Sequence, residues 1–172
     1  TGELLVELAA ARDGLTVLRL ATNVGKSGAL AIGFEHTTGR YVVTLDGDGQ
    51  DDPGEIPKLL AKLDEGYDLV SGWKRERRDP AGKRIASRTF NRATSRISGV
   101  RLHDFNCGLK AYRGELIRSL DLYGEMHRFI PVLGAQLGWR VTEIPVVHRA
   151  RVHGRSKFGL ERYARGLLDL LA

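Results

Sequence analysis

The run Tyr41-Val42-Val43-Thr44-Leu45 stops on Asp46-Gly47-Asp48-Gly49-Gln50, followed by Asp51, Asp52 and Pro53. Apolar, β-branched and aromatic residues halted by acids and glycines read as a buried strand with polar groups at its carboxyl end. Asp52 makes a good N-cap with Pro53 at the first helical position. A helix therefore runs to about residue 65, Gly66 ends it, and a second strand covers 67–71. Strand, helix and strand at this spacing form a βαβ unit, which places helices on the faces of a sheet.

The alternation continues in both directions: helix 3–12, strand 15–21 and helix 26–38 precede the acidic segment. A basic helix at 82–98, a short strand and turn at 107–113, a helix at 125–137, a strand at 140–148 and a closing helix from 159 follow it. The expectation is one domain over 1–172, an α/β fold with a mostly parallel sheet flanked by helices. Ligands of such sheets sit beyond the carboxyl ends of the strands, where the acids lie. A net charge of +6 favours an anionic partner. The single cysteine, Cys107, excludes an internal disulfide and a cysteine-only zinc cluster, which reads as a reducing compartment, the cytosol. No stretch reaches the roughly 20 apolar residues that span a bilayer. Both ends read as cut: the chain opens inside a helical pattern at Leu4, Leu5 and Leu8, and closes on Leu167, Leu168, Leu170 and Leu171.

Asp46, Asp48 and Gln50 offer three oxygen donors separated by glycines that permit tight turns and close ligand approach. Mg²⁺ binds through one or two carboxylates together with substrate phosphates, so this sparse set suits a metal-diphosphate complex. A plain helix-capping turn explains Asp52 but not carboxylates at the end of a buried strand. An EF-hand frame fails, because its sixth and twelfth positions would be Asp51 and Pro57. A phosphatase of the haloacid dehalogenase type also opens with Asp-x-Asp-Gly, but its downstream acids are not evident. A P-loop reading of Gly25-Lys26-Ser27 fails because its first glycine would fall at Leu20. Asn23, Gly25 and Lys26 still stand before a helix N-terminus, as a phosphate or base contact or as an ordinary turn.

Arg84, Arg88, Arg92 and Arg96 recur every four residues, opposite Ile85, Phe90, Ala93 and Ile97. The helix is either a solvated basic face or a surface for an anionic membrane. Nucleic acid is not expected, since no reader motif or aromatic stacking platform accompanies the arginines. Arg149, Arg151 and Lys157 surround Gly154 and Ser156, as a phosphate-gripping loop or a basic surface loop. His127 and Arg128 open a helix, either structurally or as a phosphate contact.

Six segments occur in order: Asn23-x-Gly25-Lys26; Asp46-Gly-Asp48-Gly-Gln50 with Pro53; Ser71-Gly72-Trp73-Lys74; Asp104-x-x-Cys107-Gly108-Leu109-Lys110; His127-Arg128-Phe129-Ile130-Pro131; and Arg151-x-x-Gly154-x-Ser156-Lys157. Together they resemble the family 2 glycosyltransferases, in particular the branch of dolichyl-phosphate mannose synthase and the bacterial polyprenyl-phosphate glycosyltransferases. The resemblance implies a GT-A (Rossmann-like) fold with Asp46, Asp48 and Gln50 around Mg²⁺ or Mn²⁺ and the donor diphosphate. It gives Asp48 and Asp104 catalytic places, Asp104 near the reacting sugar. It assigns phosphate or donor contacts to Asn23, Gly25, Lys26, Lys74, Ser87, His127, Arg128, Arg151, Ser156 and Lys157. The family's first strand, its Asn-Glu motif and its Asp-Asp-Gly-Ser strand have no counterpart, so those N-terminal strands are expected to be missing. Many bacterial relatives continue into two transmembrane helices.

The implied reaction is inverting transfer from a nucleotide-sugar donor to a polyprenyl-phosphate acceptor, at or anchored to the cytoplasmic face of an anionic membrane. Transfer to a sugar hydroxyl of a cell-envelope glycan, with Asp104 as base, is the alternative. A non-catalytic nucleotide-sugar or membrane-binding module is the other. The sugar, the nucleotide and the oligomeric state are left open.

Overall fold

The computed structural model describes residues 2–75 and 81–149, the side chains of 81–86 excepted. Six helices are described: α1 (Gly2–Ala11), α2 (Gly25–Glu35), α3 (Ile56–Asp64), α4 (Ala81–Ser98), α5 (Gly114–Arg118) and α6 (Ile130–Gln136). Four strands, β1 (Tyr41–Thr44), β2 (Leu69–Trp73), β3 (Lys110–Arg113) and β4 (Val141–Pro145), form one sheet in the order β1-β3-β2-β4.

The α/β class is as expected, but the sheet is mixed rather than mostly parallel. β2 and β4 pair in parallel, whereas β3 lies antiparallel to both β1 and β2. Three strands therefore run one way, and the reversed β3 sits between two of them. The reversal follows from the loop 99–109, which delivers the chain to β3 level with the far part of β1. Lys110, the first residue of β3, is registered opposite both Thr44 and Ser71.

Alternation along the strands divides the core between the sheet's two faces. Leu69 and Tyr112 join Val42, Phe34 of α2, Leu116 and Ile117 of α5, and Ile130. Val70 and Ala111 face the other way, onto Leu59 and Leu63 of α3 with Leu109 and Val146. The i, i+4 spacing of Leu59 and Leu63 puts both on one helical face, and each is fully buried, contributing about 1.5–3 kcal/mol. Phe90 of α4 packs with Leu102, Phe105, Phe129 and Val132.

Two further sequence expectations change. Residues 15–21 belong to no strand; no partner strand lies beside them among the described residues, and Leu15 and Leu18 are exposed. Apolar alternation alone supplies no hydrogen-bonding neighbour. The helix expected at 125–137 divides into a 3-10 turn, Met126–Arg128, and α6. Pro131, at the start of α6, has no N–H to continue an upstream helix and favours a helix start instead. The Asp52 cap is as expected: its side chain accepts from the Gly54 N–H, with Pro53 beginning a 3-10 turn that leads into α3. The short helix α5 was not anticipated. The closing helix from 159 lies outside the described residues.

Candidate functional site

The acidic loop begins where β1 ends and is folded back by its own side chains. Asp48 Oδ1 accepts the Gln50 N–H at 3.1 Å, and Gly49 between them adopts a φ of 74°, which a residue with a β-carbon rarely takes. Beneath it Asp51 is buried, accepting the Asp46 N–H at 3.2 Å on Oδ2 and lying 3.1 Å from Lys74 Nζ on Oδ1. The segment after β4 closes the loop from the other side. The Arg149 N–H donates to Gln50 O at 2.8 Å, Gln50 Nε2 donates to Arg149 O at 3.3 Å, and Asp51 bridges to His148.

Asp46 is met by Lys26, by the cations Lys74 and Lys110, and by the backbone of Gly108, all from distant parts of the chain. Lys26, in the first turn of α2, donates to Asp46 Oδ1 at 2.6 Å. The turn before it is shaped by Asn23, whose Oδ1 accepts the Gly25 N–H. Burial pushes the Asp46 carboxyl up, but Lys26, aided by Lys74 and Lys110, carries it below its ordinary value, so it is ionised at neutral pH. Gly108 provides the third side: a β-carbon there would collide with the Asp46 carboxylate.

The loop 104–108 is held in that position by buried donors and acceptors. Thr44 Oγ1 donates to Gly108 O at 2.8 Å, and the buried Lys110 Nζ donates to Phe105 O at 3.2 Å and to Cys107 O. Burial lowers the Lys110 pKa, and raises the Cys107 thiol to about 11, which keeps the cysteine neutral. Glu143 of β4 accepts the N–H groups of His103, at 2.8 Å, and Asp104, at 3.3 Å. Asp104 itself is 1% exposed, and its Oδ1 accepts the Asn106 N–H. Arg128, buried as well, reaches Glu125 Oε2 and Asn106 Oδ1, both at 3.2 Å.

A cavity of about 30 Å³, room for one or two waters, lies among Lys26, Asp46, Asn106, Lys110 and His127. Burial, with Lys26, Arg128 and Lys110 nearby, pushes His127 down to about 3. Burial and the neighbouring cations thus favour the neutral imidazole at pH 7 in the site as it stands.

The glycosyl transferase family 2 profile matches residues 1–121. The chain belongs to that family. Among its relatives, the dodecaprenyl-phosphate galacturonate synthase of Rhizobium johnstonii is 42% identical over 167 residues, covering 94% of this chain and 49% of the relative. The undecaprenyl-phosphate 4-deoxy-4-formamido-L-arabinose transferase of Pseudomonas aeruginosa is 39% identical over 169 residues, 97% of this chain and 50% of the relative. The chain thus spans about half the length of the curated relatives it matches. Among solved structures, the glucosyl-3-phosphoglycerate synthase of Mycobacterium tuberculosis with Mn²⁺ and UDP-glucose superposes with a TM-score of 0.63 at 25% identity, over 91% of this chain and 55% of that one. The same enzyme has been solved with Mg²⁺ and UDP.

For this family 2 chain, the structure gathers Lys26, Asp46, Asp48, Gln50, Lys74, Asp104, His127 and Arg128 around the carboxyl ends of β1 and β2 and the start of β3. Ser87 of α4 is buried. Arg151, Ser156 and Lys157, and the side chain of Arg84, lie outside the described residues. Two carboxylates and the Gln50 amide are hard oxygen donors, and Asp46 already holds a cation in the form of Lys26, so the set fits Mg²⁺ or Mn²⁺. Among the described residues no group of three or more acidic, histidine or cysteine side chains is placed to hold a metal ion. Sequence reasoning missed Ser27, Asp51, Asn106 and Glu143, and gave Lys110 no role. A charged residue inside an apolar strand, as Lys110 and Glu143 are, was the available signal.

Proposed function

We propose that the protein transfers a sugar, with inversion, from a nucleotide-sugar donor to a polyprenyl phosphate at the cytoplasmic face of a membrane, using Mg²⁺ or Mn²⁺. The observation that carries this is the 39–42% identity, over 94–97% of the chain, to two relatives named for polyprenyl-phosphate sugar products. Asp46, Asp48 and Gln50 hold the ion, which when bound neutralises charge on the departing nucleoside diphosphate. Lys26 and Lys74 flank that position. Lys26 exchanges the Asp46 carboxylate for a donor phosphate oxygen, and Lys74 holds Asp51 and with it the loop. Asn23 and Gly25 shape the approach to the donor, and Ser87, Arg128, Arg151, Ser156 and Lys157 serve the phosphates.

A phosphate monoester has a second pKa of about 6 and is largely dianionic at pH 7, so the acceptor needs cations rather than a base. The burial of Asp104 favours this over a hydroxyl acceptor: at 1% exposure, with Oδ1 engaged by the Asn106 N–H, it is better suited to shaping the sugar pocket than to drawing a proton from a bulky glycan. Arg88, Arg92 and Arg96 are exposed along α4, and no carboxylate among the described residues pairs with them, which suits an anionic membrane surface. No helix among the described residues is long and apolar enough to cross a membrane. The deciding experiment supplies radiolabelled nucleotide sugars and Mn²⁺ to the intact protein, with polyprenyl phosphate or oligosaccharide as acceptor. Label in the lipid phase, lost with EDTA, is expected; label confined to oligosaccharide would sink the proposal.

A further inference from the structure

Ser27 and His127 are separated by 100 positions and meet through two hydrogen bonds. Ser27 sits in the first turn of α2 and is 0% exposed. Its Oγ accepts the His127 backbone N–H at 2.9 Å and lies 3.0 Å from Nδ1 of the same residue. A serine hydroxyl has one proton to give. Among the described residues Nδ1 is its only acceptor, so the proton points there. Nδ1 is then the acceptor nitrogen of a neutral ring, and the ring's own proton resides on Nε2.

That Nε2–H has no protein acceptor within hydrogen-bond reach among the described residues. The nearest carboxylate oxygen, Glu125 Oε2, is 3.9 Å away and already receives Arg128 Nε at 3.2 Å. The His127 side chain is only 12% exposed and borders the cavity shared with Lys26, Asp46 and Lys110. Nε2 is not sealed from solvent: it opens towards that cavity, where a water or a ligand oxygen can accept its proton. The surrounding ammonium and guanidinium groups favour an electron-rich oxygen as that ligand.

We infer that Ser27 is a positioning residue that fixes His127 as the Nε2–H tautomer, making it a neutral hydrogen-bond donor to an oxygen of the bound sugar nucleotide. The ligand's identity rests on the transferase reading; the tautomer does not. A neutral donor has a specific use here. It adds direction to a site whose other donors are cations, and it orients one oxygen without drawing in further anions.

The test is ¹⁵N–¹H spectroscopy of the imidazole nitrogens in the intact protein at pH 7, with the His127→Gln variant giving the assignment. The expected wild-type pattern is a protonated Nε2 and an unprotonated Nδ1. Ser27→Ala should give a tautomer mixture with kcat/KM lowered about 10-fold, the value of roughly one lost hydrogen bond. Ser27→Thr, which keeps the hydroxyl, should restore the wild-type pattern. Adding UDP with Mg²⁺ should shift the Nε2 resonance. A protonated Nδ1 or an imidazolium in the wild type would overturn the inference without any variant being made. A Ser27→Ala spectrum identical to wild type would also overturn it, as would an Nε2 resonance indifferent to nucleotide in an active enzyme. The fixed tautomer in a protein that transfers no sugar would uphold the positioning role of Ser27 and count against the transferase reading instead.

Discussion

The backbone of Gly108 lies against the carboxylate of Asp46, closely enough that no side chain fits between them. Gly108→Ala should therefore displace the carboxylate rather than the strand, because Gly108 needs no left-handed backbone and β3 is fixed on both sides. Mn²⁺ titration should show affinity weakened by about 10-fold or more, roughly 1.4 kcal/mol. Unchanged affinity would mean that Asp46 is not a ligand.

Asp46→Asn and Asp48→Asn each preserve shape and remove a charge. Transfer by the intact protein should fall at least about 100-fold in each, the scale of losing one preorganised electrostatic contact. Thermal stability without metal should differ between them. Asp46→Asn loses its ion pair with Lys26, so the two variants should separate in melting temperature even where their activities do not.

Lys74 and Asp51 form a buried pair, with side chains 12% and 1% exposed. Lys74→Met leaves the Asp51 carboxylate without its cation and should cost roughly 3–5 kcal/mol in chemical denaturation. Combining it with Asp51→Asn should recover a large part of that loss. A double variant no more stable than Lys74→Met alone would contradict the pairing.

His127 sets the sign of the acid response. Its folded pKa of about 3 lies below the ordinary value of 6.5, so between these limits the unfolded chain binds the additional proton. The contribution is complete above about pH 6.5 and is lost as the pH falls towards about 3, by up to about 1.4 kcal/mol per pH unit. Asp46, held below its ordinary value, adds loss in the same direction only below about pH 4. His127→Gln should flatten the upper part of the denaturation-versus-pH curve and leave the lower part in place. An unaltered curve would place the titrating group elsewhere.

What the sequence made legible was local. β1 and its acids form one contiguous signal, since the apolar run, the glycines and the Asp52-Pro53 cap are each read within a few residues. Strand 15–21 carried the same periodicity and failed, because pairing depends on a neighbour that periodicity does not supply. The direction of β3 was illegible for a related reason: residues 110–113 alternate identically whichever way they run. Ser27 was taken only as part of a rejected P-loop, and His127 only as a helix start. Their meeting depends on α2 and the 126–128 turn packing together across 100 positions. Glu143 and Lys110 were visible as charges within apolar strands, but their partners are backbone atoms of the 103–107 loop, which no side-chain pattern announces.

The contacts that close the acidic loop reach from Gln50 to Arg149, 99 positions along the chain. Closing so long a loop is slow, and until that contact forms only the local turn bonds, Gln50 N–H to Asp48 and Asp46 N–H to Asp51, hold residues 46–50. The loop should therefore order late in folding, after the sheet to which both ends are tied. Its amides should exchange with solvent through opening of the segment beyond β4 rather than through fraying of β1. An ion bound at Asp46 and Asp48 would then act as a clasp on the far end of the domain, slowing exchange near residue 149 as well as at its own ligands.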